Sequence, residues 1–148
     1  MALTASEIID RMYDNDPFSQ WMGVERVEEG PGFCLLRLTI RGEMLNGFSI
    51  AHGGISYALA DSALAFSANA HGRHAVSVET SISHTQPVFE GDVLTTHVEE
   101  VSLNHRIGIY HIAVRNQHKV DVALFKGTVY RKDKDLSLIH ISEPTRPY

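Results

Sequence analysis

The stretch that decides the fold is Asn46-Gly47-Phe48-Ser49-Ile50-Ala51-His52-Gly53-Gly54-Ile55-Ser56-Tyr57-Ala58-Leu59-Ala60-Asp61-Ser62-Ala63-Leu64-Ala65-Phe66-Ser67-Ala68-Asn69-Ala70-His71. It reads as a short polar loop, two glycines, and a long Ala-rich helix that closes before Gly72. Between Ile55 and Ala68 the only charged side chain is Asp61. Ile55, Tyr57, Leu59, Leu64 and Phe66 lie all round that helix rather than along one stripe, which predicts burial on every side. A membrane span is the rival reading. The segment is short for one, is dominated by Ala and Ser, and carries a carboxylate at mid-length. It is therefore read as a central helix wrapped by the rest of the chain. An acid buried in its middle is costly unless it has partners or a task.

Upstream, Thr4-Ala5-Ser6-Glu7 has the spacing of a capping box, and Ile8, Ile9, Met12 and Tyr13 then form one apolar helical face. Asp14-Asn15-Asp16-Pro17 stops that helix. Two strands, Gly23 to Glu29 and Phe33 to Ile40, flank the turn signal Glu29-Gly30-Pro31-Gly32, so a hairpin is predicted. Downstream, strands are expected over Ala75 to Val88, with Val76, Val78 and Ile82 on one face, then Val93 to Leu103, Ile107 to Asn116 and Val120 to Arg131. Strands in runs with one long helix between them predict α+β packing around an antiparallel sheet, not a doubly wound parallel sheet.

At 148 residues the chain is long enough for one domain with a real core. That domain is read as residues 1–135. Leu136 to Tyr148 does not fit the rest: it resembles the in-frame translation of a sequencing-library adapter, and is set aside. The net charge of −5 argues against nucleic acid or an anionic membrane as partner. The single cysteine, Cys34, excludes an intrachain disulfide and a Cys-rich zinc site, and reads as a core residue. No signal peptide is visible at the N-terminus, which makes the cytoplasm the expected compartment. The nine histidines lack clustered carboxylates, so no metal is expected.

The first amides of a helix have no intrahelical partner and stand at the positive end of its dipole. At Gly53-Gly54 that backbone is bare, a cradle for an anion or a developing oxyanion. The plainer reading is a tight entry turn. Asp61 lies eight residues on, about 12 Å along the helix, too far for both groups to touch one carbon. Two copies of the helix, antiparallel across a two-fold axis, would bring the amides of one to the carboxylate of the other, making two sites per dimer. The alternative for Asp61 is an acid paired with a neighbouring donor. Asn46 and His52 could address the same carbonyl, or shape the loop; Ser77 could hold a water.

Leu45-Asn46-Gly47, His52-Gly53-Gly54 and Leu59-Ala60-Asp61 together resemble the phenylacetic-acid-degradation acyl-CoA thioesterases of the hotdog fold. The likeness runs from Tyr13-Asp14-Asn15-Asp16 to Ala123-Leu124-Phe125-Lys126-Gly127. It implies a long helix wrapped by a curved antiparallel sheet, paired protomers and dimers that associate into tetramers. It implies Asp61 as the catalytic carboxylate, acting as base or nucleophile. The Gly53 amide would be the oxyanion donor, given by the partner chain and flanked by Gly54, and Asn46 and His52 would position the thioester and the attacking group. Ser77 matches a water-positioning serine of some relatives. Coenzyme A enters as part of the substrate, with no cofactor, and Arg73, Arg106 and Lys126 are the cations considered for its phosphates. The acyl group implied is phenylacetyl or hydroxyphenylacetyl. The rival readings are a hotdog dehydratase or hydratase and a non-catalytic acyl-CoA binding module.

Overall fold

The computed structural model describes residues 2–136. Helix α1, Ala5–Asp14, opens on the expected capping box: Thr4 Oγ1 accepts from the Glu7 amide at 3.1 Å, and Glu7 Oε1 accepts from the Thr4 amide at 2.9 Å. Ile8 and Ile9 are buried. The Asp14–Pro17 break does stop α1, but it also starts a short helix that the stop signal concealed, α2, Pro17–Met22. Asp16 is its N-cap and Pro17 its first residue, the pairing that a preset proline φ favours.

The predicted hairpin forms as β1, Glu25–Gly30, and β2, Phe33–Thr39. A loop with a short 3₁₀ turn at Gly42–Met44 then leads to α3, Gly53–Asn69. After it come β3, Arg73–His84, β4, Val93–Leu103, β5, Ile107–Arg115, and β6, Asp121–Asp135. All six strands form one antiparallel sheet in the order β1-β2-β4-β5-β6-β3. This is the α+β hotdog arrangement implied by the resemblance. β3 begins two residues before and ends four residues before the expected bounds: its ladder with β6 stops at His84 opposite Ala123, where the Thr85 and Gln86 amides both turn to Val122 O at 2.9 and 3.5 Å. Val76, Val78 and Ile82 do not share a face. A bulge between Ser77 and Glu79 resets the alternation. Val76 stands opposite exposed Tyr130 and Ile82 opposite buried Phe125. Leu136, the first residue of the segment set aside above, is buried and donates its amide to Gly72 O at 2.9 Å. Residues 137–148 lie outside the described residues.

The sheet curls round α3, burying Leu59, Ala60, Ala63, Leu64 and Phe66. Cys34 is in the same core, where burial pushes its thiol up to about 12. One side of α3 departs from the expectation of burial all round. Gly54 is exposed and Ala58, Asp61 and Ala65 are half-buried, a stripe at steps of four, three and four. The sheet covers one flank of the rod and α1 another, and among the described residues the third is left partly open. The C-terminal end is tied down by Asn69: its Nδ2 donates to Ala65 O and Ala75 O, and its Oδ1 accepts from the Ala75 amide at 2.9 Å. Beyond it, Glu100 accepts from His71 at 2.5 Å and from buried Tyr110 at 2.8 Å. Among the described residues no helix is long and apolar enough to cross a membrane.

Gly127 sets how closely α3 sits on the sheet. A Cβ there would meet Leu64 Cδ2 at 2.5 Å and Cδ1 at 3.0 Å. Gly127→Ala is expected to destabilise the fold by about 1–3 kcal/mol through overpacking. Combined with Leu64→Ala it should lose less than the sum of the two single changes, because the truncated leucine makes room. Urea unfolding of the four proteins measures both, and strict additivity would contradict the contact.

Candidate active site

The loop before α3 is closed on itself. Asn46 Oδ1 accepts from the Phe48 amide at 2.9 Å and the Ile50 amide at 3.4 Å, while the Asn46 amide donates to Ile50 O at 2.7 Å. This is an Asx turn. It occupies the side-chain oxygen and leaves Nδ2 without a partner among the described residues. The Ala51 amide bonds Val88 O at 2.7 Å and the His52 amide bonds Met44 O at 2.8 Å, which fixes where the helix begins.

His52 is the N-cap of α3. Its Nδ1 accepts from the Gly54 amide at 2.9 Å, so Gly54's donor is taken. An Nδ1 that accepts leaves Nε2 to carry the ring proton. The Gly53 amide has no acceptor among the described residues and stands at the positive end of the helix dipole. Beside it opens a cleft of about 400 Å³ lined by Asn46, Gly53, Ser56, His84, Gln86 and Val88 among others. Of the residues picked from sequence, the structure brings together Asn46, His52, Gly53 and Gly54.

Asp61 is not in that cleft. It lies two turns further along α3 on the uncovered stripe, half-buried. Among the described residues it has no hydrogen bond and no ion pair, so the alternative of a neighbouring donor is not met. Burial raises its pKa above the ordinary 3.8, and the Asp16 carboxylate adds to the shift. Asp16 comes close because its Oδ2 accepts from Ser19 Oγ at 2.6 Å, and Ser19 Oγ contacts Ser62 Oγ at 2.8 Å, next to Asp61. This capping network was missed from sequence, although Asp16-Pro17 is a helix-start signal that could have revealed it.

Ser77 lies opposite buried Val129, which places its side chain on the helix side of β3, exposed and without a partner. Arg73 and Arg106 lie at the other end of the molecule, past the C-terminus of α3. Both reach Asp133, at 3.0 Å and 2.7 Å, and Arg73 also bonds Lys132 O at 2.6 Å. Lys126 sits apart from them, 3.6 Å from Glu79. His84 was not singled out in the sequence. No local spacing marks it, and only the β3–β6 register carries it to the start of α3.

Known proteins resemble this chain in sequence and in fold. The profile of the Thioesterase superfamily matches residues 48–123. The acyl-coenzyme A thioesterase PaaI of Escherichia coli K12 is 35% identical over 81% of this chain and 86% of its own length. A putative esterase of Archaeoglobus fulgidus is 35% identical over 85% of this chain and 82% of its own. The solved structure of the E. coli PaaI protein from the phenylacetic acid degradation operon superposes with a TM-score of 0.86 at 33% identity, covering 88% of this chain and 95% of that one. The chain belongs to the thioesterase superfamily of hotdog proteins. Within it the chain is a thioester hydrolase of the PaaI-like, acyl-CoA thioesterase kind.

The raised pKa of Asp61 makes a stability prediction. The folded chain holds this proton more tightly than the unfolded chain does. The contribution is therefore most favourable below pH 3.8 and is lost as pH rises through the raised value. Asp61→Asn removes the cost of ionisation, so the variant should melt above the parent at pH 7. Its advantage should shrink as the pH is lowered towards 3.8. Thermal melts across pH test this, and an advantage that is absent at pH 7 or grows in acid would contradict it.

Proposed function

We propose that the chain hydrolyses phenylacetyl-CoA and ring-hydroxylated phenylacetyl-CoA thioesters to the free acid and coenzyme A, at sites shared by two copies. The observation that carries this reading is the unpartnered Asp61 on the uncovered side of α3, with an unpaired Gly53 amide at the tip of the same helix. The acyl group rests on the E. coli relative, whose structure is described as coming from a phenylacetic acid degradation operon.

The two groups serve one carbonyl if a second copy lays its α3 antiparallel along the stripe Gly54, Ala58, Asp61, Ala65, where small side chains allow close approach. The sheet supports the same pairing. β3 is a 12-residue strand at the edge of the sheet among the described residues, and such an edge is a template for another strand. A two-fold axis there continues the sheet and sets the helices side by side. The dimers then associate into a cytoplasmic tetramer.

In such a site the thioester oxygen accepts from the Gly53 amide of the partner subunit while Asp61 faces the carbonyl carbon. As general base, Asp61 takes a proton from water as the water oxygen bonds that carbon. The oxyanion forms against the amide, and its collapse breaks the C–S bond and expels the thiolate of coenzyme A. As nucleophile, the carboxylate forms a mixed anhydride that water opens in a second step. A thiolate leaves readily, so an oxyanion donor and one raised-pKa carboxylate suffice without a triad. Asn46, through its free Nδ2, and His52, through Nε2, position the thioester, and Ser77 holds the water. Arg73 and Arg106, gathered at Asp133, are offered to the phosphates of coenzyme A, with Lys126 beside Glu79 as the alternative cation.

Thiol release across an acyl-CoA panel tests the substrate: phenylacetyl thioesters should be turned over in preference to medium-chain acyl-CoA. Asp61→Asn should lower kcat by about 10²–10⁴-fold, the usual contribution of a general base, with the dimer intact by sedimentation; turnover at the parent rate would remove Asp61 from the chemistry. For the shared arrangement, Asp61→Asn protomers mixed with Gly53→Pro protomers should recover activity, since one of the two sites regains both halves. Verified heterodimers that stay inactive would refute the sharing.

A further inference from the structure

We infer that His84 is a further catalytic residue of this site, its imidazole Nε2–H donating to the thioester carbonyl oxygen alongside the Gly53 amide. The inference rests on the reading of the Gly53 tip as the oxyanion site. His84 closes β3, opposite Ala123 in β6, and this register carries its ring across the first turn of α3. A Cβ built on Gly53 would lie 3.0 Å from His84 Nε2, 3.3 Å from Cε1 and 3.7 Å from Cδ2. The ring lines the same cleft as Asn46 and Ser56. Four of the other imidazoles are engaged, His52 with the Gly54 amide, His71 with Glu100, His97 with Thr95 and His105 with Arg73, while His74 and His111 lie outside this cleft. Among the described residues, neither ring nitrogen of His84 has a partner.

The hydrogen-bond count at the helix tip gives that free nitrogen a task. A carbonyl oxygen that becomes an oxyanion accepts more than one hydrogen bond. The tip offers two bare amides in sequence, Gly53 and Gly54, but His52 consumes the second. The Gly53 amide alone is half of an oxyanion hole. His84 Nε2 is an unpartnered ring nitrogen 3.0 Å from where a Gly53 Cβ would stand. Glycine at 53 is what lets the ring come so near.

The test compares kcat and KM for His84→Gln, His84→Phe and His84→Ala with the parent, on whichever acyl-CoA the parent turns over fastest. Gln keeps an N–H donor, Phe keeps the bulk, and Ala keeps neither. Loss of an oxyanion donor lowers kcat by about 10²-fold, so Phe and Ala should fall by that factor with KM within about twofold. Gln should stay within about tenfold of the parent, and added imidazole should partly restore Ala. A role in shaping the cleft alone would spare Phe. His84→Phe at the parent kcat overturns the inference, and so does His84→Gln falling as far as Phe. Should His84→Phe fail to fold, Ala against Gln, with and without imidazole, decides by the same criteria. A parent that releases no coenzyme A from any acyl-CoA would instead remove the reading of the site beneath it.

Discussion

A carboxylate that has no partner among the described residues, held half out of water on an apolar helix, is the constraint around which this chain is arranged. Among the described residues Asp61 gains no hydrogen bond, and the nearby Asp16 makes its charge harder to hold. Leaving such a group costs free energy. The chain meets that cost by making the rest of α3 cheap to bury: alanine and serine on the crowded flanks, leucine and phenylalanine toward the sheet, and Gly127 opposite Leu64 so that helix and strand come close. A helix built this way has little reason to stay where it is except packing. That is why its C-terminal end is clamped by Asn69 across to Ala75, with His71 just beyond it joined to Glu100 and Tyr110.

The fold was largely legible because its signals are local. A helix apolar all round, a capping box, a Gly-Pro-Gly turn and four runs of strand residues each carry their meaning within a few positions, although β3 ends four residues before, and β6 four residues after, the expected bounds. Val93–Leu103 is reproduced to the residue. What was not legible depended on register. The bulge at Ser77/Glu79 turns Val76 and Ile82 to opposite faces, and nothing in the alternation of β3 announces it. The crossover that sends β3 to the edge beside β6 is likewise decided by how the sheet closes on α3.

The site divides along the same line. Asn46, His52, Gly53 and Asp61 could be named as candidates because loop, cap, tip and acid follow one another in a single stretch. His52 acquired a definite role only with coordinates, as the cap that takes the Gly54 amide. Arg73 and Arg106 are 33 residues apart in the chain, and only the fold shows that both close on Asp133. His84 and Asp16 were missed for the same reason. Each reaches α3 from another element, one through strand pairing and one through the cap of a six-residue helix.

The rise of an α-helix makes a second copy more than an accessory to the proposed chemistry. Gly53 and Asp61 are held about 12 Å apart by the geometry of one rod, and no side-chain motion closes that gap along a straight helix. Bending α3 would undo its packing against β2 and β5 in the common core. Within one chain the acid and the amide tip must therefore work on different atoms. An antiparallel twin removes the conflict without moving either group, because it shifts each tip by the eight residues that separate it from the acid. The same operation covers the small-residue stripe and pairs the free edge of β3, so one two-fold axis would answer the three features that the isolated chain leaves open.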